Sequence, residues 1–346
     1  MDKELKNGAL IDTRTDEEKA KDIQFQEIVA STNPVVWIEK ISTSWRKFPI
    51  FNQDSSGSCV AQTLAKLIGV LYYIKNGIYI HFSATHIYQR RSNKPAGGMS
   101  GTEAFDIAQG GVTLEALVPS QDMNDSQMDG IKIESYKEDV GKIFKIGKYI
   151  VGPIKDIETI ASIIQTTGKA VMVWYYFNYP EWTDVPTVLG PVDLYLPATC
   201  RHSVTAVDFT LYQGKKCLII EDSWGPNYGK GGQRIITEDF HKERNWFVAH
   251  TMNFSFDEII VKPEYQFTKT LKFGDISPDI IALQDILKFE GLFPTNINST
   301  GYYGTITATA VLAFQKKHKV APDSELDSLA GKSVGPKTIL KLNELY

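Results

Sequence analysis

The stretch Gln53-Asp54-Ser55-Ser56-Gly57-Ser58-Cys59-Val60-Ala61 decides how this chain is read. Gly57 and Ser58 end a loop. After them Val60, Leu64, Leu67, Ile68 and Leu71 recur at the spacing of one helix face, so a helix begins at or next to Cys59. A thiol in the first turn meets the positive end of the helix dipole, which favours the thiolate, the form that attacks electrophiles. A buried free cysteine that only packs at a helix start fits the same local pattern. The rest of the chain has to decide between the two.

Two further stretches do so. Cys200-Arg201-His202-Ser203-Val204 opens one strand, and Ile219-Ile220-Glu221-Asp222-Ser223-Trp224-Gly225 ends another. Ser203 to Phe209, the Gln213-Gly214 pair and Lys216 to Ile220 read as a β-hairpin. In a hairpin the start of one strand lies opposite the end of its neighbour, so His202 and Asp222 come side by side. Asp222 can then accept a hydrogen bond from one ring nitrogen of His202, leaving the other to face Cys59. That is a nucleophile, its base and a group that orients the base.

Around these stretches the chain has three parts. Residues 1–40 are polar, with one short helix expected around Glu17 to Ala30. In residues 41–262 helical spacing comes first, and Ile157 to Gln165 is a further helix with Gly168 just beyond it. The run Ala170 to Phe177 is aromatic and β-branched, as in a strand. Helices followed by strands imply an α+β fold. Pro263 and a polar stretch separate residues 263–346, where Ile280 to Leu287, Thr307 to Lys317 and Pro336 to Leu345 form three helices with turns at Gly291, Gly301 and Gly304.

The 346 residues are 42% hydrophobic and 23% charged, the composition of a globular chain. Lys+Arg total 37 against 41 Asp+Glu, a net charge of −4, so no nucleic-acid partner is expected. Neither a polybasic run nor a long apolar stretch argues for a membrane partner. Three cysteines do not make a disulfide scaffold. Cys200 and Cys217, in or beside the hairpin, are read as structural thiols. His81, His86, His241, His250 and His318 show no paired ligand spacing, so no metal and no cofactor are expected. Met1 to Gly8 has no apolar core, and no secretory signal peptide is expected.

Gln53…Gly57-Ser58-Cys59, Arg201-His202-Ser203-Val204 and Asp222-Ser223-Trp224-Gly225 together resemble the papain-like cysteine peptidases in order and spacing. Lys94-Pro95-Ala96-Gly97-Gly98-Met99 resembles the glycine pair of that family's substrate groove. Ala104-Phe105 through Gly110-Gly111-Val112 to Glu115 is similar to its next helix and loop, and Trp45-Arg46 to a motif near its mature N-terminus. The resemblance implies a two-lobed fold with a helical and a β-sheet lobe. It implies Cys59 as nucleophile, His202 as base, Asp222 as orienting group, and the Gln53 side chain with the Cys59 N–H as oxyanion hole. Gly97 and Gly98 would admit a peptide backbone, Trp224 would shield His202, and Met99 and Cys200 would line the specificity pocket. The chain departs from the family in three places. Asp222 replaces the usual asparagine, Val60 an aromatic, and Gly57 a disulfide-bonded cysteine. The family's long pro-segment is replaced by about 40 residues, expected to pack on the domain or partly cover the groove.

Leu283-Gln284, Leu287, Gly291, Tyr303-Gly304-Thr305, Thr307, Ala310-Val311, Phe314-Gln315 and Val334-Gly335-Pro336-Lys337-Thr338 resemble a small three-helix peptidoglycan-binding domain. Tyr302, Tyr303 and Asn298 are its candidate glycan contacts. The combined expectation is a cysteine endopeptidase acting on peptide or protein, tethered through residues 263–346 to bacterial cell wall. It would be extracellular, wall-associated or virion-associated, and the combination fits a phage lysin. The alternative is an inactive papain-fold binding or virion protein.

Overall fold

The structure is a computed structural model that describes residues 8–22, 34–152, 155–182, 199–251, 263–294 and 299–346, and the backbone alone of 188–189 and 254–256. The chain forms two compact units, residues 1–257 and 258–346.

In the first unit, α1 (Asp16–Lys19) is a single turn closed by a Thr15–Glu18 capping box; the remainder of the expected helix, residues 23–30, lies outside the described residues. The central element is α2 (Cys59–Asn76). Its residues from Cys59 to Leu71 are all buried, because other elements cover it on every side, and Gly77 in a left-handed conformation ends it. Helices α3 (Ala84–Tyr88), α4 (Gly101–Gln109), α5 (Asp125–Gly130) and α6 (Ser135–Ile143) complete this helical part. Then come β1 (Phe144–Ile146), β2 (Tyr149–Gly152), α7 (Ile157–Thr167), β3 (Val171–Phe177), β4 (Val188–Leu189), β5 (Cys200–Tyr212), β6 (Lys215–Glu221), β7 (Gln233–Thr237), α8 (Glu238–Arg244), β8 (Asn245–Thr251) and β9 (Phe254–Phe256).

Seven of these strands form one sheet in the order β2-β8-β3-β5-β6-β7-β4, antiparallel except for β4 on β7. Alternation along β3 divides the interior. Met172 and Trp174 join the core around α2, while Val171, Val173, Tyr175 and Phe177 join a second core with α7 and Trp182. With both faces covered, β3 reads in sequence as a continuous apolar run. The β5–β6 hairpin turns at Gln213-Gly214, both at positive φ.

The second unit holds a two-stranded ladder, β10 (Leu271–Lys272) with β11 (Ser333–Val334), and helices α9 (Pro278–Phe289), α10 (Thr305–Lys317), α11 (Asp323–Leu329) and α12 (Pro336–Leu345). Three are the expected helices; α11 and the ladder are additions. Two buried glutamines clasp the helices to the turns that follow. Gln284 Nε2 donates to the Tyr302 carbonyl and Thr307 Oγ1, both at 2.9 Å. Gln315 Nε2 donates to the Ser333 carbonyl and Thr338 Oγ1, both at 3.0 Å.

Candidate active site

Cys59 is the first residue of α2. The preceding Ser58 makes no side-chain cap, and its hydroxyl lies 2.6 Å from that of Ser56. Gly57 keeps the approach narrow: a Cβ there would lie 2.7 Å from the Gly98 nitrogen. Tyr88 and Asp125 brace this loop. Asp125 Oδ1 accepts from the Gly57 N–H at 2.8 Å and from the Tyr88 hydroxyl at 2.9 Å, and the Tyr88 oxygen accepts from the Gly98 N–H at 2.8 Å.

His202 stands near the start of β5. The last β5–β6 pair is Thr205 with Glu221, so His202 extends past the ladder and Asp222 follows it directly. The two meet: His202 Nε2 lies 2.7 Å from Asp222 Oδ1, with both side chains buried. Among the described residues the other nitrogen, Nδ1, makes no hydrogen bond of good geometry, while the Cys59 sulfur is close enough to favour a proton on the ring. Burial opposes the imidazolium, but Asp222 and then Cys59 outweigh it and push the histidine up to about 9. Burial likewise opposes the Asp222 carboxylate, yet His202, Arg234 and Trp182 hold it well below the usual range.

Asp222 Oδ2 accepts from Trp182 Nε1 at 2.8 Å and Arg234 Nε at 3.0 Å. Trp224 covers the imidazole with ring centroids 4.6 Å apart, and Trp182 meets it edge-on at 5.7 Å. Gln53 is fully buried. Its backbone N–H donates to the Ser223 carbonyl at 2.7 Å and its Oε1 accepts from Ser223 Oγ at 2.6 Å. Its Nε2 donates to the Ser56 carbonyl at 2.8 Å, which uses one of its two N–H groups. The Asn52–Trp224 bridge thus brings the Gln53 loop beside the segment after Asp222.

Residues 8–10 lie along the Gly97-Gly98-Met99 segment, joined to it by a single parallel bridge between Ala9 and Met99. The Gly8 carbonyl accepts from the Met99 N–H at 2.9 Å, and the Leu10 N–H donates to the Met99 carbonyl at 3.0 Å. A Cβ on Gly8 would lie 2.7 Å from Cys59 Sγ, and one on Gly98 would meet the Gly8 carbonyl oxygen at 2.9 Å. Further along, Arg14 binds Asp12 and Asp22 and folds residues 12–22 back on themselves. Under this strap Cys59 is fully buried.

Cys200 stands apart. It opens β5 opposite Phe177, and its sulfur lies 3.8 Å from Thr199 Oγ1. Cys217 pairs with Thr210, ten residues along β5 and thus about 30 Å away; all three cysteines are free. Burial raises both of these thiols, Cys217 to about 12. In the second unit Tyr303 is buried, with its hydroxyl donating to the Gly331 carbonyl at 2.7 Å, so it is not an exposed glycan contact. Tyr302 is exposed. Asn298 lies outside the described residues.

The family model described as papain family cysteine protease matches residues 40–246, more than half of the chain, and the chain belongs to that family. Residues 277–329 match the model described as putative peptidoglycan binding domain. Among curated proteins, mouse cathepsin S is 25% identical over 240 residues, covering 65% of this chain and 64% of its own. Papaya proteinase 4 from Carica papaya is 22% identical over 236 residues, covering 66% of this chain and 62% of its own. The chain thus spans less than two thirds of these relatives. Xylellain, a cysteine protease from Xylella fastidiosa, superposes with a TM-score of 0.59 at 17% identity over 72% of this chain and 96% of its own. That likeness is one of fold.

Proposed function

We propose that the chain is a cysteine endopeptidase hydrolysing peptide bonds through Cys59, His202 and Asp222. The observation that carries this reading is the 2.7 Å His202–Asp222 contact, which leaves Nδ1 for the cysteine at the head of α2. The Cys59 thiolate adds to the scissile carbonyl. The oxyanion is received by the Cys59 N–H and the second N–H of Gln53 Nε2. His202 protonates the leaving amine and then takes a proton from water to release the thioester. Asp222 holds the ring throughout.

Residues 8–22 act as a strap that occupies the substrate groove. Its backbone pairing with Met99 supports recognition of an extended peptide through main-chain hydrogen bonds. The substrates are therefore read as peptide segments of proteins or of the wall. Residues 1–40 serve as the extension, 41–262 as the peptidase domain, and 263–346 as the anchor that holds the enzyme on peptidoglycan. An extracellular, wall-bound or virion-borne setting follows from that anchor.

The test is a thiol-directed electrophile with a peptide recognition arm, applied to the full chain carrying Gly8→Val so that the strap does not shield Cys59, followed by mapping of the modified cysteine. Cys59 is expected to react, while Cys200 and Cys217, whose thiols burial raises, stay unmodified. No modification of Cys59 and no cleavage of a peptide library would leave a binding protein instead.

A further inference from the structure

Resting on that reading of the site, we infer that Arg234 is a positioning residue for His202: it balances the Asp222 carboxylate and fixes which oxygen the histidine receives. Asp222 is a carboxylate with no exposed side-chain surface. A buried charge of this kind is strongly unfavourable unless it is paired and its lone pairs are satisfied. A neutral amide at position 222 would carry no such requirement.

The counter-charge comes from the neighbouring strand. In the β6–β7 ladder Ile220 pairs with Arg234, two residues before Asp222. The guanidinium is wholly buried and donates from Nε to Asp222 Oδ2 at 3.0 Å. Its Nη1 donates to the Trp182 carbonyl at 2.7 Å, and Trp182 Nε1 donates to that same Oδ2 at 2.8 Å. Arg234, Trp182 and Asp222 form a closed triangle. Gly229 makes room for it, since a Cβ there would lie 2.9 Å from Arg234 Cγ. Oδ2 is thereby fully engaged and Oδ1 is left to His202 Nε2. The ring is fixed with Nδ1 on the Cys59 side.

The arginine also moderates the carboxylate's pull on the histidine. Without it, the full negative charge acts on His202 through a medium that screens poorly. The imidazolium then holds its proton more tightly and donates it less readily to the leaving amine.

The experiment uses the full chain carrying Gly8→Val, which lifts the strap from Cys59, with four variants in that background: Arg234→Met, Arg234→Lys, Asp222→Asn, and the double variant Asp222→Asn with Arg234→Met. Hydrolysis of an extended fluorogenic peptide and iodoacetamide alkylation of Cys59 are followed from about pH 5 to about pH 10. Arg234→Met is expected to lower kcat/KM by at least roughly tenfold and to move the alkaline limb upward. Asp222→Asn alone strands a buried guanidinium and loses activity by a similar factor. The double variant is expected to exceed the product of the two single effects by roughly tenfold, because the amide needs no counter-charge. Arg234→Lys keeps the alkaline limb in place at reduced kcat, and it and the double variant carry the comparison if Arg234→Met does not fold. Strictly multiplicative losses, or an alkaline limb unmoved in Arg234→Met, overturn the inference alone; where that variant does not fold, a double variant roughly tenfold or more below Asp222→Asn does so. A Gly8→Val parent whose Cys59 neither alkylates nor turns over peptide overturns the reading of the site as well.

Discussion

Gly8 lies against Cys59 so closely that one added carbon on it would come within 2.7 Å of the sulfur. Glycine is the residue that fits, and Gly8→Val is predicted to lift the strap. Overpacking of this kind costs about 1–3 kcal/mol, roughly a five- to 150-fold shift toward the open groove. The check is the rate of Cys59 alkylation in the full chain, which rises by that order in the variant. An unchanged rate means that residues 8–10 do not limit access.

The amide of Gln53 is held by Ser223 and Ser56. Gln53→Ala is predicted to lower kcat by roughly 10²–10³, the loss seen when one oxyanion donor is removed. Alkylation of Cys59, which forms no oxyanion, is expected to change by much less. Similar losses in both assays would assign Gln53 to the fold instead.

The folded His202 is raised to about 9 from an unfolded value of 6.5. A group with a raised folded pKa contributes stability that is complete below its unfolded value and is lost as the pH climbs through the folded one. Thermal stability is therefore expected to fall between about pH 6.5 and about pH 9. His202→Ala is expected to flatten that fall. Asp222 is depressed and acts at the other end, where its contribution disappears only in strong acid.

Lys66 and Glu221 form a fully buried ion pair at 3.0 Å. Lys66 lies on α2, two turns after Cys59, and Glu221 directly precedes Asp222, so the pair ties the helix that Cys59 opens to the strand that ends beside Asp222. Lys66→Met leaves a lone buried carboxylate and is predicted to cost about 3–5 kcal/mol. Chemical denaturation measures this. A loss below about 1 kcal/mol would mean that water or another cation replaces the lysine.

The anchor is tested by co-sedimentation with insoluble peptidoglycan. The full chain is expected in the pellet and a chain ending at residue 262 in the supernatant. Tyr302→Ala is expected to weaken retention, since Tyr302 is the exposed one of the two adjacent tyrosines.

The residues near the chemistry differ in how legible they were. Cys59, His202 and Asp222 sit at the ends of a helix and a hairpin, and such ends carry local sequence signals. The turn at Gln213-Gly214 places the last two side by side. Trp182, Arg234 and Asp125 act through contacts that only the folded chain brings together, and no spacing rule names them. Arg234 did carry one signal: it is a lone charge in the run Gln233-Arg234-Ile235-Ile236, and a charge inside a buried strand requires a partner. Gly57 has its explanation in the Gly98 nitrogen, which leaves no room for a side chain there. Tyr303 looked like a ligand contact because an aromatic beside a turn serves a core as well as a surface. Helix α11 and the β10–β11 ladder are too short to leave a periodic trace.

The strap is gripped through its main chain at Met99, the handle that the proposed function gives to an incoming peptide. Guest and latch thus compete for one seat, and the latch is permanently leashed to it. A leash of this kind corresponds to a local concentration of millimolar order. Sparse peptides in free solution would lose that contest, and a densely crowded matrix would win it. The enzyme would then be quiet in transit and would wake where its targets are packed together.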